Sequence, residues 1–85
     1  MSTLERLAAL LHREFQLAPG ALVPEATLET LEIDSLRMIE ILFCIEDEFG
    51  VKAPEDAAAL RERVRTLGDL AAYIDTLPPA PRPGP

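Results

Sequence analysis

With 85 residues, 48% of them hydrophobic and none of them Trp, the chain has room for one domain whose core is mostly Leu, Ile, Val and Ala. A domain this short buries only about 60 to 65% of the surface its unfolded chain exposes, which excludes a large enclosed active site. Eight Lys and Arg against 15 Asp and Glu give a net charge of −7, which repels nucleic-acid backbones and anionic membranes and suits proteins that present basic patches.

Leu4, Leu7, Ala8, Leu11 and Phe15 recur at steps of three and four, which predicts an amphipathic helix from about Thr3 to Leu17. Ser2 with Glu5 makes a capping box at its start, and Ala18-Pro19-Gly20 ends it. From Gly20 to Ile33 the chain has Pro24 and no sustained period. Leu22, Val23, Leu28, Leu31 and Ile33 nevertheless make this stretch too apolar for a free linker, so a long loop pinned to the core is expected. Asp34 stands where a cap belongs, and a second helix should run from Ser35 to about Phe49, closed by Gly50. Pro54 suggests the opening of a short, less regular third helix through Ala57 to about Arg63. Thr66 with Asp69 forms another capping box, opening a last helix with Leu67, Leu70, Ala71, Ile74 and Leu77 inward. The expected domain is 1–77, and Pro78 to Pro85 reads as a disordered proline-rich tail.

At about 100° per residue, the second helix divides its apolar side chains into two groups. Met38, Ile41, Leu42, Ile45 and Phe49 form a core stripe. Leu36, Ile39 and Phe43 lie nearly opposite, beside Glu40 and Asp47, where a helix buried on one side should be polar. Apolar surface edged with charge commonly marks an interaction site, so Leu36, Ile39, Glu40, Phe43 and Asp47 are expected to face a partner.

Leu31-Glu32-Ile33-Asp34-Ser35-Leu36, followed by Ile39-Glu40 and Ile45-Glu46-Asp47-Glu48-Phe49-Gly50-Val51, resembles the phosphopantetheine-attachment signature of acyl carrier proteins. The amphipathic first helix, the long loop, the Pro before the third helix and Thr66-Leu67-Gly68-Asp69-Leu70 are in register with that family, and only the proline tail lies outside. The resemblance implies an all-α, four-helix acyl-carrier-like bundle with a long loop between helices one and two. It implies covalent 4′-phosphopantetheine, taken from coenzyme A, on Ser35, with Asp34 and Leu36 completing the attachment motif. The arm would hold acyl intermediates as thioesters for fatty-acid, polyketide or dedicated lipid and secondary-metabolite pathways. The implied partners are a phosphopantetheinyl transferase and acyl-transferring or acyl-modifying enzymes with basic docking patches, the carrier itself being a monomer and not an enzyme. Physics agrees at the site, because a helix start favours a phosphodiester.

Two residues depart from the family pattern. Glu32 stands where such chains usually have Gly two positions before the Asp, which is expected to alter the turn into the helix. Arg37 stands where many fatty-acid carriers have an acidic or small residue, and a cation there would repel a basic partner. Both lean toward a dedicated pathway.

Cys44 is the only cysteine, so no intrachain disulfide is possible; it reads as a small half-buried side chain. His12 has no companion at a metal-ligand spacing, and no metal site is expected. The opening Met1-Ser2-Thr3-Leu4-Glu5 lacks a basic region leading into an apolar run, and no apolar run is long enough to span a bilayer, so a cytoplasmic location is expected. Two other readings compete: a peptidyl or aminoacyl carrier with the same bundle and serine, and a helical adaptor that binds through the outer face of helix two without carrying an arm.

Overall fold

The computed structural model describes residues 2–53 and 57–80. Four helices follow in order: α1 (Thr3–Phe15), α2 (Ser35–Phe49), α3 (Ala57–Arg63) and α4 (Leu67–Asp75). A single 3₁₀ turn, Pro19–Ala21, lies between α1 and α2. Pro54, expected to open the third helix, lies outside the described residues.

Local capping sets the helix starts. At α1, Ser2 Oγ accepts from the Glu5 N–H (3.1 Å) while the Glu5 carboxylate accepts from the Ser2 N–H (3.0 Å). The same reciprocal box opens α4, where the Asp69 carboxylate takes the N–H groups of Arg65 and Thr66 at 3.2 Å each. These bonds hold the Asp69 carboxyl below its ordinary range, as the Ser2 amide does for Glu5.

Helix α1 stops two residues earlier than the hydrophobic pattern suggests. Gln16 adopts a left-handed conformation (φ 57°), its N–H reaches back to the His12 carbonyl, and the Leu17 N–H closes on Leu11 at 3.4 Å. His12 adds to this closure, donating through Nδ1 to the Leu17 carbonyl (3.0 Å). Helix α2 has the bounds its sequence predicts and ends at Gly50, which is also left-handed (φ 65°).

Packing puts α2 against α1 and α3, and α1 against α4. Leu7, Leu10, Leu11, Met38, Ile41, Ile45, Leu67 and Leu70 are almost fully withdrawn from solvent. Leu10 is absent from the stripe predicted for α1, whose Leu4, Ala8 and Phe15 are only half-buried, as is Phe49 in the stripe predicted for α2. Leu77 is half-buried beyond the end of α4.

The long loop is pinned as expected, and backbone bonds do much of the pinning. The Leu28 N–H donates to the Arg65 carbonyl, the Leu67 N–H to Ala26 and the Gly68 N–H to Pro24, each at 2.9 Å. Thr27 and Thr66 form an isolated antiparallel bridge there. The approach is close enough that a Cβ on Gly68 would meet the Pro24 carbonyl oxygen at 3.2 Å. Leu22, Leu28 and Ile33 point into the core, whereas Val23 stays 44% exposed.

The first three residues of the expected tail are paired. The Lys52 N–H donates to the Pro78 carbonyl (2.9 Å) and the Ala80 N–H to the Gly50 carbonyl (3.0 Å), with Val51 and Pro79 bridged antiparallel. Residues 81–85 lie outside the described residues.

Candidate functional site at the start of α2

The junction between loop and α2 is built from both sides. Asp34 is extended (φ −88°, ψ −174°), so its carboxylate reaches over the first turn and accepts from the Arg37 N–H at 2.8 Å. Its carbonyl begins the helical ladder by accepting from the Met38 N–H at 2.8 Å. Ser35 is the first residue of the helix and is exposed. The amides of Ser35 and Leu36 have no acceptor among the described residues, as expected of a helix start.

The turn into the site keeps a glycine-like geometry without a glycine. Glu32 has φ 59°, its N–H bonds the Glu29 carbonyl (3.0 Å), and the next amide, Ile33, bonds Leu28 (2.9 Å). Two backbone bonds and the burial of Ile33 therefore hold a side-chain-bearing residue in a region that costs about 1 to 2 kcal/mol for an L residue. Glu32, standing where the family usually has Gly, takes this left-handed backbone itself. The Ile33 carbonyl receives the Arg61 Nε–H at 2.7 Å, so α3 clamps the peptide two residues before Ser35. Nothing in the sequence marks Arg61 for this part; it reads as one more cation on a short polar helix.

The structure brings the outer residues of α2 together as placed by periodicity. Leu36 and Phe43 are each 67% exposed and Ile39 is 41% exposed, with Glu40 and Asp47 exposed beside them. On the opposite face, Met38, Ile41, Leu42 and Ile45 are buried. The remaining acidic residues of α2 turn to its flanks. Glu46 accepts from the Ala53 N–H (3.0 Å) with Lys52 Nζ 3.7 Å away, and Glu48 pairs with Arg13 at 3.3 Å. Arg6 stacks over Phe49 (4.3 Å to the ring centre) and donates to the Glu48 carbonyl (2.9 Å), where cations complement a helix C-terminus. Arg37, the other departure, lies with its guanidinium 5.2 Å from the centre of the Phe15 ring.

Cys44 is half-buried between the two faces, and burial pushes its thiol up from the ordinary value, with the Glu14 and Asp47 carboxylates adding to the effect. Among the described residues, no group of three His, Cys, Asp or Glu is placed to hold a metal, and no helix is long and apolar enough to cross a membrane.

A family model described as "phosphopantetheine attachment site" matches residues 5–74, from the first turn of α1 to the last turn of α4. The chain is 42% identical over 73 residues to a meromycolate extension acyl carrier protein of Mycolicibacterium aurum, covering 84% of this chain and 71% of that one. It is 34% identical over 73 residues to an acyl carrier protein of Thermosynechococcus vestitus, covering 85% and 86%. An acyl carrier protein of Rhodococcus erythropolis is 48% identical over 56 residues, covering 65% and 57%.

Proposed function

The chain belongs to the phosphopantetheine-attachment family of acyl carrier proteins, and from that premise we propose that Ser35 bears its 4′-phosphopantetheine and that the outer face of α2 docks the enzymes that load and use it. The observation that carries this reading is an exposed hydroxyl at the first position of α2, behind a cap that leaves the neighbouring amides free. The residues fit the group. A phosphodiester on Ser35 would meet the Ser35 and Leu36 N–H groups at the positive end of the helix, while the neighbouring Asp34 carboxylate is engaged by the Arg37 N–H. When bound, the group supplies a terminal thiol that holds an acyl chain as a thioester.

The chain's own residues position and present. Asp34 organises the first turn, Ile33 anchors the junction in the core, and Arg61 holds the Ile33 carbonyl, so Ser35 projects from a corner tied to the core and to α3. Leu36, Ile39 and Phe43 supply apolar contact area, and Glu40 and Asp47 supply the field that attracts a basic surface. The relatives are named acyl carrier proteins, which favours an acyl cargo over an aminoacyl one, in lipid or fatty-acid metabolism. We place the protein in the cytoplasm, as a monomer that performs no chemistry of its own.

Incubation with coenzyme A and a broad-specificity phosphopantetheinyl transferase should add one arm, read by intact mass and mapped to Ser35. The Ser35→Ala protein should stay unmodified with its melting temperature nearly unchanged, because Asp34 still caps the helix. If the wild type gains no mass while a control carrier is modified, Ser35 is only a capping neighbour and the adaptor reading replaces this one.

A further inference from the structure

The connection that leaves α2 satisfies its amides one after another. The Val51 N–H donates to the Glu46 carbonyl (3.3 Å), the Lys52 N–H to the Pro78 carbonyl (2.9 Å) and the Ala53 N–H to the Glu46 carboxylate (3.0 Å). Two of these bonds return to α2 itself, and the middle one goes to a residue beyond the end of α4. A second bond from that segment, the Ala80 N–H to the Gly50 carbonyl (3.0 Å), and the antiparallel bridge of Val51 with Pro79 complete the contact.

The segment is suited to pairing. Pro78 and Pro79 have their φ fixed near the extended range, so a terminal stretch that would otherwise lose much freedom on ordering loses less. Neither proline has an N–H to give, and Ala80 carries the one backbone donor of the three, which is used. The base of the segment is anchored: Leu77 is half-buried against the core, and its N–H closes on the Ile74 carbonyl (3.1 Å) at the end of α4. That end of α4 is tied in turn to the start of α1, where the Thr3 hydroxyl donates to the Asp75 carboxylate. Residues 78–80 therefore reach from the α1–α4 pair to a connection whose Val51 is half-buried and whose Ala53 is buried.

The element that depends on this connection is α3, which packs against α2, whereas α1 packs against both α2 and α4. The last turn of α3 carries Arg61, bonded to the Ile33 carbonyl beside the Ser35 junction. We infer that Pro78–Ala80 is a conformational strap. Paired, it tethers the α2–α3 connection and with it α3; released, it lets α3 open while α1 and α4 stay packed. The tether is independent of what Ser35 carries.

Amide hydrogen exchange tests this on the full chain, on chains ending at Ala80 and at Leu77, and on the full-length Ala80→Pro protein, which loses only the Ala80 donor. In the chain ending at Leu77 the Lys52 amide should exchange about tenfold faster than in the full chain, and the amides from Arg61 to Val64 about threefold faster. Those of Leu10 and Leu11 in α1 should stay within about twofold, because they report opening of the whole bundle. The chain ending at Ala80 should match the full chain, and Ala80→Pro should speed Lys52 exchange about threefold. Equal Lys52 rates in the chains ending at Leu77 and at Ala80 would overturn the strap. So would α3 amides that keep their full-chain rates while Lys52 is released, since α3 would then not depend on the pairing. Equal acceleration of α1 and α3 would overturn it as well, because the segment would stabilise the bundle as a whole. Should the chain ending at Leu77 fail to fold, Ala80→Pro decides, and an unchanged Lys52 rate there rules the strap out.

Discussion

The two faces of α2 are made of the same kind of residue and have opposite surroundings. Met38, Ile41 and Ile45 on one side are fully withdrawn from solvent, while Leu36 and Phe43 on the other keep two thirds of their surface exposed. Burial of an isoleucine or phenylalanine contributes about 1.5 to 3 kcal/mol, so the outer residues forgo a stabilisation that the inner ones collect. The helix holds its place through one face and leaves the other in contact with solvent. The junction at Ser35 joins the two, because Ile33 is buried and Asp34, Ser35 and Leu36 are exposed within three further residues.

The contrast is broken most directly from inside. Ile45→Ala should destabilise the protein by about 2 to 5 kcal/mol, and Leu42→Ala nearly as much, because each empties a closed site in the core. In a domain of this size that lowers the melting temperature by about 10 °C or more. Loss of no more than a degree or two would mean that the inner face repacks freely and that the two faces differ little.

From outside, Phe43→Ala should leave the melting temperature within a few degrees of wild type while lowering kcat/KM for an acyl-transferring partner about tenfold, the usual cost of removing an aromatic anchor. Ile39→Ala should act the same way more weakly, as its side chain is already partly covered. A melting temperature that falls as far for Phe43→Ala as for Ile45→Ala would make the outer strip part of the core.

The smallest effect is expected at the junction. Glu32→Gly relieves a left-handed backbone but adds freedom to the unfolded chain, leaving a net gain of about 0.5 kcal/mol and a rise of a few degrees in thermal melting. A fall instead would show that the Glu32 side chain helps hold the turn into Ser35.

Much of this architecture was legible in the sequence because it is local. Ser2 with Glu5, Thr66 with Asp69, and Asp34 before Ser35 announce helix starts through bonds that span only three residues, and Gly50 announces an end through its own backbone freedom. Periodicity likewise separated Leu42 and Ile45 from Ile39 and Phe43, since the angular offset between positions on a helix is a property of the helix alone. What the sequence could not contain was anything carried by contacts between distant segments. Pairing of Pro78–Ala80 with Gly50–Lys52, the hold of Arg61 on the Ile33 carbonyl, and the placement of Arg37 over Phe15 each join residues more than 20 positions apart. Composition and spacing determined that this chain presents a serine at the start of a two-faced helix, because capping and helical period act over a few residues. Only the tertiary structure decided how firmly that serine is held and which charge stands beside it, because those depend on which distant side chains the packed core brings within reach.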